Sequence, residues 1–163
     1  MTRHGYCISW CQLRPTCRGS VTLSSDDPSA PPRVLHNYLA TAEDRECQRR
    51  AVGLARDLHT QSAFDGYRGE ELEPGPDCET QDAVDHYIQQ SCHTHFHPVG
   101  TAAMGHDDAA VVDSQLRVHG IENLRVVDAS VIPRLVGANT NVPTIMIAEK
   151  ASDMIRNRPP LAV

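Results

Sequence analysis

Three histidines stand at alternate positions in the stretch HTHFHPVGTAAMG, and the last of them, His97, runs directly into Pro98. Imidazole is a common metal ligand and also the side chain that titrates nearest neutral pH, so His93, His95 and His97 raise two chemistries: zinc binding and proton transfer. Alternate residues of a strand share one face, which would bring the three rings together. A zinc-binding module needs companions, however, and no carboxylate or thiolate stands at a diagnostic spacing, while Pro98 would end the strand. His93 and His95 therefore read as partly exposed strand residues. His97 differs because the HPVGT step sets it against a residue of fixed torsion and three before a glycine that lets another group approach the backbone. Such a ring is a candidate general base, although spacing alone also admits an ordinary histidine beside a turn.

The elements that must position these rings are legible in part. GYCISWCQLR and SVTLSS, separated by Pro15 and Gly19, predict strand, turn, strand at a sheet edge, and the Ser, Asp and Pro-rich SSDDPSAPPR cannot continue a ladder. From Thr41 the TAED stretch has the form of a capping box, and Cys47, Ala51, Leu54, Ala55 and Leu58 recur at helical spacing to about Thr60. AFDGYRGEELEPGPDCE predicts a long surface loop, after which Thr80 caps a shorter helix with Val84, Tyr87 and Ile88 on its apolar face. Beyond the histidines, AVVDSQLRVHGIENLRVVDAS predicts two β segments around a His119-Gly120 turn. The last element is a helix opened by Asn139, Thr140 and Asn141, with Pro143 tolerated in its first turn, Arg156 and Arg158 at its end, and Pro159-Pro160 as its stop.

At 163 residues the chain is long enough for one folding unit with a real core. A net charge of -6 provides no basic field for a phosphate backbone, so nucleic acid is not an expected partner. No apolar run approaches the roughly 20 residues of a membrane span, and the N-terminal residues lack the order of a secretory signal. The six cysteines form no CxxC pair, so reduced thiols and a cytoplasmic setting are expected.

HPVGTAAMG, VVDSQLRVHGIENLRVVDASVIP and GANTNVPTIMIAEKASDMI, in that order, resemble the C-terminal part of the glucose-methanol-choline (GMC) family of FAD-dependent oxidoreductases, most closely its choline and alcohol dehydrogenases. The resemblance extends upstream through QLRPTCRGSV and the 63–77 loop, from about Cys11 to Ile155. It implies an α+β fold, an antiparallel sheet backed by helices. Residues 1–120 would form the substrate-binding domain, and 121–163 a strand and helix returning to the FAD-binding domain.

By the same resemblance His97 matches the family's active-site histidine, and Asn141 its second active-site position, occupied by His or Asn. Asp128, Ala129, Asn139, Thr140, Val142 and Pro143 fall where the family's chain returns to the flavin. Without the resemblance, Asn141 reads equally as a helix N-cap and Asp128 as a turn residue at a strand end. The implied activity is oxidation of a primary alcohol or choline-like substrate to the aldehyde, with hydride passing to FAD. The GxGxxG strand-turn-helix that cradles a dinucleotide pyrophosphate does not occur in the sequence. The expectation is therefore a C-terminal fragment, inactive alone, whose partners are a small alcohol and the missing FAD-binding half. The alternative is a non-catalytic remnant or binding module that keeps the fold.

Overall fold

The structure, a computed structural model, describes residues 4–159. They fall into two compact units that divide between Thr94 and His95, where length alone had suggested one. Each unit closes around its own helices, and this is why the contacts separate there.

In the first unit β1 (Ser20–Thr22) pairs antiparallel with β2 (Arg33–Leu35), with Val21 opposite Val34. The Ser, Asp and Pro-rich stretch is the hairpin connection. The strand predicted over residues 5–14 is absent. That segment is held by side chains of the following helix instead: Trp10 Nε1 donates to Gln48 Oε1 at 2.7 Å, and Gln12 Nε2 to Asp44 Oδ1 at 2.7 Å. The Trp10 and Gln12 side chains of this segment thus find their partners on the helix.

Helix α1 (Ala42–His59) starts at Thr41, whose hydroxyl accepts from the Asp44 amide at 3.2 Å, and ends at Thr60. Thr80 caps α2 (Gln81–Ser91) in the same way through the Ala83 amide. The two helices contact each other, with Val52 and Ile88 buried. Arg49 grips Asp85 across them through two bonds of 2.6 and 2.7 Å. Of the predicted apolar face of α1, Leu54 stays 60% exposed, and Val52 takes the buried place. The loop between the helices is long, as its composition implied, and Arg56 anchors it by bidentate bonds of 3.0 Å to Glu71.

Asp44 departs from the capping-box reading. Its carboxylate does not turn back to Thr41. It is 1% exposed and accepts from Gln12, from the amide and hydroxyl of Thr16 and from the Cys17 amide, tying the chain before β1 to the first turn of α1.

The second unit is built on α3 (Asn141–Ile155) and a core of Val112, Leu116, Val131 and Ala151, with Met104, Val118, Val126, Val127 and Ile147 around it. The two predicted β segments reduce to isolated antiparallel bridges, Val112 to Val118 and Arg117 to Arg125. The reason is local. The Asp113 carboxylate draws in the Gln115 and Arg117 amides, and Leu116 adopts φ 63°, which takes the backbone out of a ladder. The His119-Gly120 turn forms, with Gly120 at φ 76°. Among the described residues no helix is long and apolar enough to cross a membrane, and Pro160 lies outside them.

Candidate active site

His97 belongs to a segment without regular structure. The strand expected at 93–97 is not formed, and Phe96 takes φ 61°, outside the extended region. His93 falls in the first unit and His95 and His97 in the second, where their two rings lie with centroids 6.3 Å apart and planes 20° from parallel. Among the described residues no group of three or more His, Cys, Asp or Glu side chains is placed to hold a metal.

His97 is braced by the residues on its C-terminal side. Pro98 fixes one torsion, and Gly100 takes φ 87°, with the Ile132 carbonyl 3.5 Å from where a Cβ would stand. The chain then hangs on a short 3-10 turn, Ala129–Val131, through Ala102 N–H to Ser130 O at 3.1 Å and Met104 N–H to Val131 O at 2.9 Å. Asp128 caps that turn, its Oδ1 accepting from the Ser130 amide at 2.7 Å. Asp128 and Ala129 therefore sit on the element that carries the His97 segment. The sequence reading of Asp128 as a turn residue describes its contact.

On the other side of His97 is the start of α3. Nδ1 of His97 lies 3.0 Å from the hydroxyl of Thr140 and hydrogen-bonds to it, and Thr140 is 7% exposed. The N-cap reading of Asn141 is corrected here: Thr140 holds the cap position and Asn141 is the first helical residue. Thr140 has φ −83° and ψ −9°, helical values, and its side chain makes no capping bond. With those torsions the hydroxyl is engaged by the imidazole and not by the helix amides.

The amide groups of Asn141 and Val142 belong to the first turn of a helix, so neither has an intrahelical acceptor, and Pro143 has no N–H to leave unpaired. The positive end of the helix dipole is centred there. Asn139 and Asn141 are exposed, as are Val142 at 74% and Met146 at 60%. This end of α3 thus combines an uncharged amide, free backbone donors and open apolar surface. The donor set suits a flat conjugated ring with an edge that gains negative charge. The GxGxxG turn that cradles a dinucleotide pyrophosphate does not precede this helix.

Sequence reasoning missed the hydroxyl-imidazole pairing. Its partners are 43 residues apart and neither carries a local signal for the other.

Residues 15–148 match the C-terminal model of the GMC oxidoreductase family. The chain is 47% identical over 158 residues to an oxygen-dependent choline dehydrogenase of Chromohalobacter salexigens, and 48% identical over 159 residues to one of Burkholderia ambifaria. These alignments take in 97% and 98% of the chain and 28% of each relative, so the chain spans less than a third of their length. Among solved structures it superimposes on pyridoxine 4-oxidase from Mesorbium loti with a TM-score of 0.84 and 36% identity, over 90% of this chain and 29% of that one. Formate oxidase from Aspergillus oryzae RIB40, studied for its FAD modification, gives 0.83 and 33%, over 89% of this chain and 26% of that one. Fold and sequence agree: the α+β chain belongs to the GMC oxidoreductase family.

Proposed function

We propose that the chain is the substrate-side portion of an FAD-dependent dehydrogenase acting on CH–OH donors, oxidising a primary alcohol or choline-like substrate to the aldehyde. In this reading residues 1–120 wall the substrate, and residues 121–163 return to an FAD-binding domain of the kind that completes its relatives. The enzyme works in the reducing cytoplasm, where six unpaired cysteines are stable. The observation that carries the proposal is the imidazole of His97, braced on one side by Pro98 and Gly100 and anchored on the other to Thr140, one residue before the exposed amide of Asn141.

Bound FAD supplies the acceptor for the hydride that leaves the alcohol carbon. Everything else falls to this chain's residues. His97 takes the hydroxyl proton as a general base. Asn141 donates its amide N–H to the substrate oxygen and does not titrate. Asn139, Thr140, Val142 and Pro143 at the start of α3, with Asp128 and Ala129 on the neighbouring turn, would hold the flavin, and the dipole and amides of that helix start would favour negative charge gathering on it.

The test is completion. The chain is joined to the FAD-binding part of a choline dehydrogenase relative, and flavin reduction is followed anaerobically after mixing with choline and with simple primary alcohols. Bleaching of the flavin that saturates with one of these substrates is the expected result. A completed protein that binds FAD fully and is reduced by none of them would overturn the proposal.

A further inference from the structure

Thr140 is in an unusual position for a threonine at a helix start. A cap residue ordinarily has extended torsions and lends its hydroxyl to an amide of the first turn, worth about 1 kcal/mol. Thr41 and Thr80 both do this. Thr140 does not: its torsions are helical, its side chain makes no cap bond, and its hydroxyl, 7% exposed with its residue, meets Nδ1 of His97 at 3.0 Å. α3 gives up a stabilising contact that α1 and α2 keep.

A hydroxyl can donate or accept, so the pairing is compatible with either neutral tautomer of the ring. The two have opposite consequences. If Thr140 donates to Nδ1, the ring proton is on Nε2 and no lone pair remains to accept another. If Thr140 accepts from Nδ1–H, Nε2 carries the lone pair. Resting on the reading of His97 as a base, we propose that Thr140 is a positioning residue: its buried hydroxyl accepts the Nδ1 proton of His97 and holds the neutral ring in the tautomer whose Nε2 is free to take a proton. In that orientation the hydroxyl takes the accepting part that a carboxylate or carbonyl takes for other catalytic histidines, and it adds no charge beside the start of α3.

The experiment reads the ring directly. The full chain is labelled with ¹⁵N-histidine, and two-bond ¹⁵N–¹H spectra are recorded above the imidazole titration, with His97 assigned by the signals lost in His97→Gln. The expected result is an Nδ1–H tautomer for His97 in the natural chain and in Thr140→Ser, and a shift toward Nε2–H, which free histidine favours, in Thr140→Val. In the enzyme completed with a flavin half, Thr140→Val slows flavin reduction and Thr140→Ser restores it. Nε2–H in the natural chain, or loss of the Nδ1–H form in Thr140→Ser, would overturn the inference whether or not Thr140→Val folds. So would a Thr140→Val spectrum identical to that of the natural chain. None of these spectra involves flavin or substrate, so they leave the proposed activity to its own test.

Discussion

Removing the Asp44 carboxylate is the sharpest test of how the first unit is held. The carboxylate is 1% exposed and accepts at 2.7 Å from Gln12, 2.8 and 3.0 Å from the amide and hydroxyl of Thr16, and 2.8 Å from the Cys17 amide. Asp44→Asn keeps the shape and, oriented for Oδ1, keeps the Gln12 and Thr16 bonds. It must then turn an NH2 toward the Cys17 amide, which leaves two donors facing each other. One unsatisfied buried amide costs about 1–3 kcal/mol, so the loss should be about 2 kcal/mol. Asp44→Ala strands the Thr16 and Cys17 amides together and opens a gap, and should cost about 3–5 kcal/mol. The assay is urea unfolding followed by circular dichroism, with the midpoints compared at a common m-value.

The acid arm of the same experiment has a definite sign. Burial pushes the Asp44 carboxyl up, but bonds from the Cys17 thiol, the Thr16 and Cys17 amides and Gln12 together hold it well below the usual carboxylate range. A depressed folded value means that the contribution is fully present above the unfolded value of about 3.9 and is lost as the pH falls below it toward the folded value. The natural chain should lose stability below about pH 4, and Asp44→Asn should lack this component. Unfolding free energies of both variants within about 0.5 kcal/mol of that of the natural chain would refute the reasoning.

Further outcomes are expected at other positions. In the enzyme completed with a flavin half, His97→Ala should slow flavin reduction by roughly 10²–10⁴-fold with FAD binding intact, and Asn141→Asp should give a stable but slow protein, both read by stopped-flow absorbance. Gly100→Ala should destabilise by about 1 kcal/mol or more in thermal unfolding, because φ 87° is strained for any side chain even though the Ile132 carbonyl leaves 3.5 Å of room. Burial, followed by the hydrogen bond and charge of Asp44, pushes the Cys17 thiol up, so Cys17 should alkylate more slowly than exposed Cys7 and Cys11 at pH 8, and Asp44→Asn should speed it, by mass spectrometry of labelled peptides.

Elements whose rules are local were readable from the sequence. Thr41 and Thr80 fix the starts of α1 and α2 because a cap is a contact between residues three apart, and the Ser, Asp and Pro-rich stretch leaves the ladder except at its last residue, Arg33, which pairs with Thr22. The strand expected over 5–14 failed because alternation is blind to a helix, 32 residues on, that offers Asp44 to Gln12. The β segments around His119 shrank to bridges because the Asp113 carboxylate organises a tight local turn that a count of valines does not register. At the site, HPVGT marked His97 by its own neighbours. The resemblance, not the spacing, singled out Asn141. Thr140 was placed near the flavin by that same resemblance, yet its bond to His97 joins two loops and leaves no trace in either.

The bridges and carbonyl bonds of the second unit also bear on how the chain folds. α3 contains only local hydrogen bonds and can form within about a microsecond, whereas the His97 and Thr140 pair closes a span of 43 residues and must wait for the loops between them to order. Val131 lends its carbonyl to Met104 and its side chain to the core, so the anchor of the His97 segment and the packing of the unit are one event. A partly opened second unit can therefore retain its helix while holding no organised imidazole. Amide exchange at Met104, more than helicity, tells whether the His97 ring is in place.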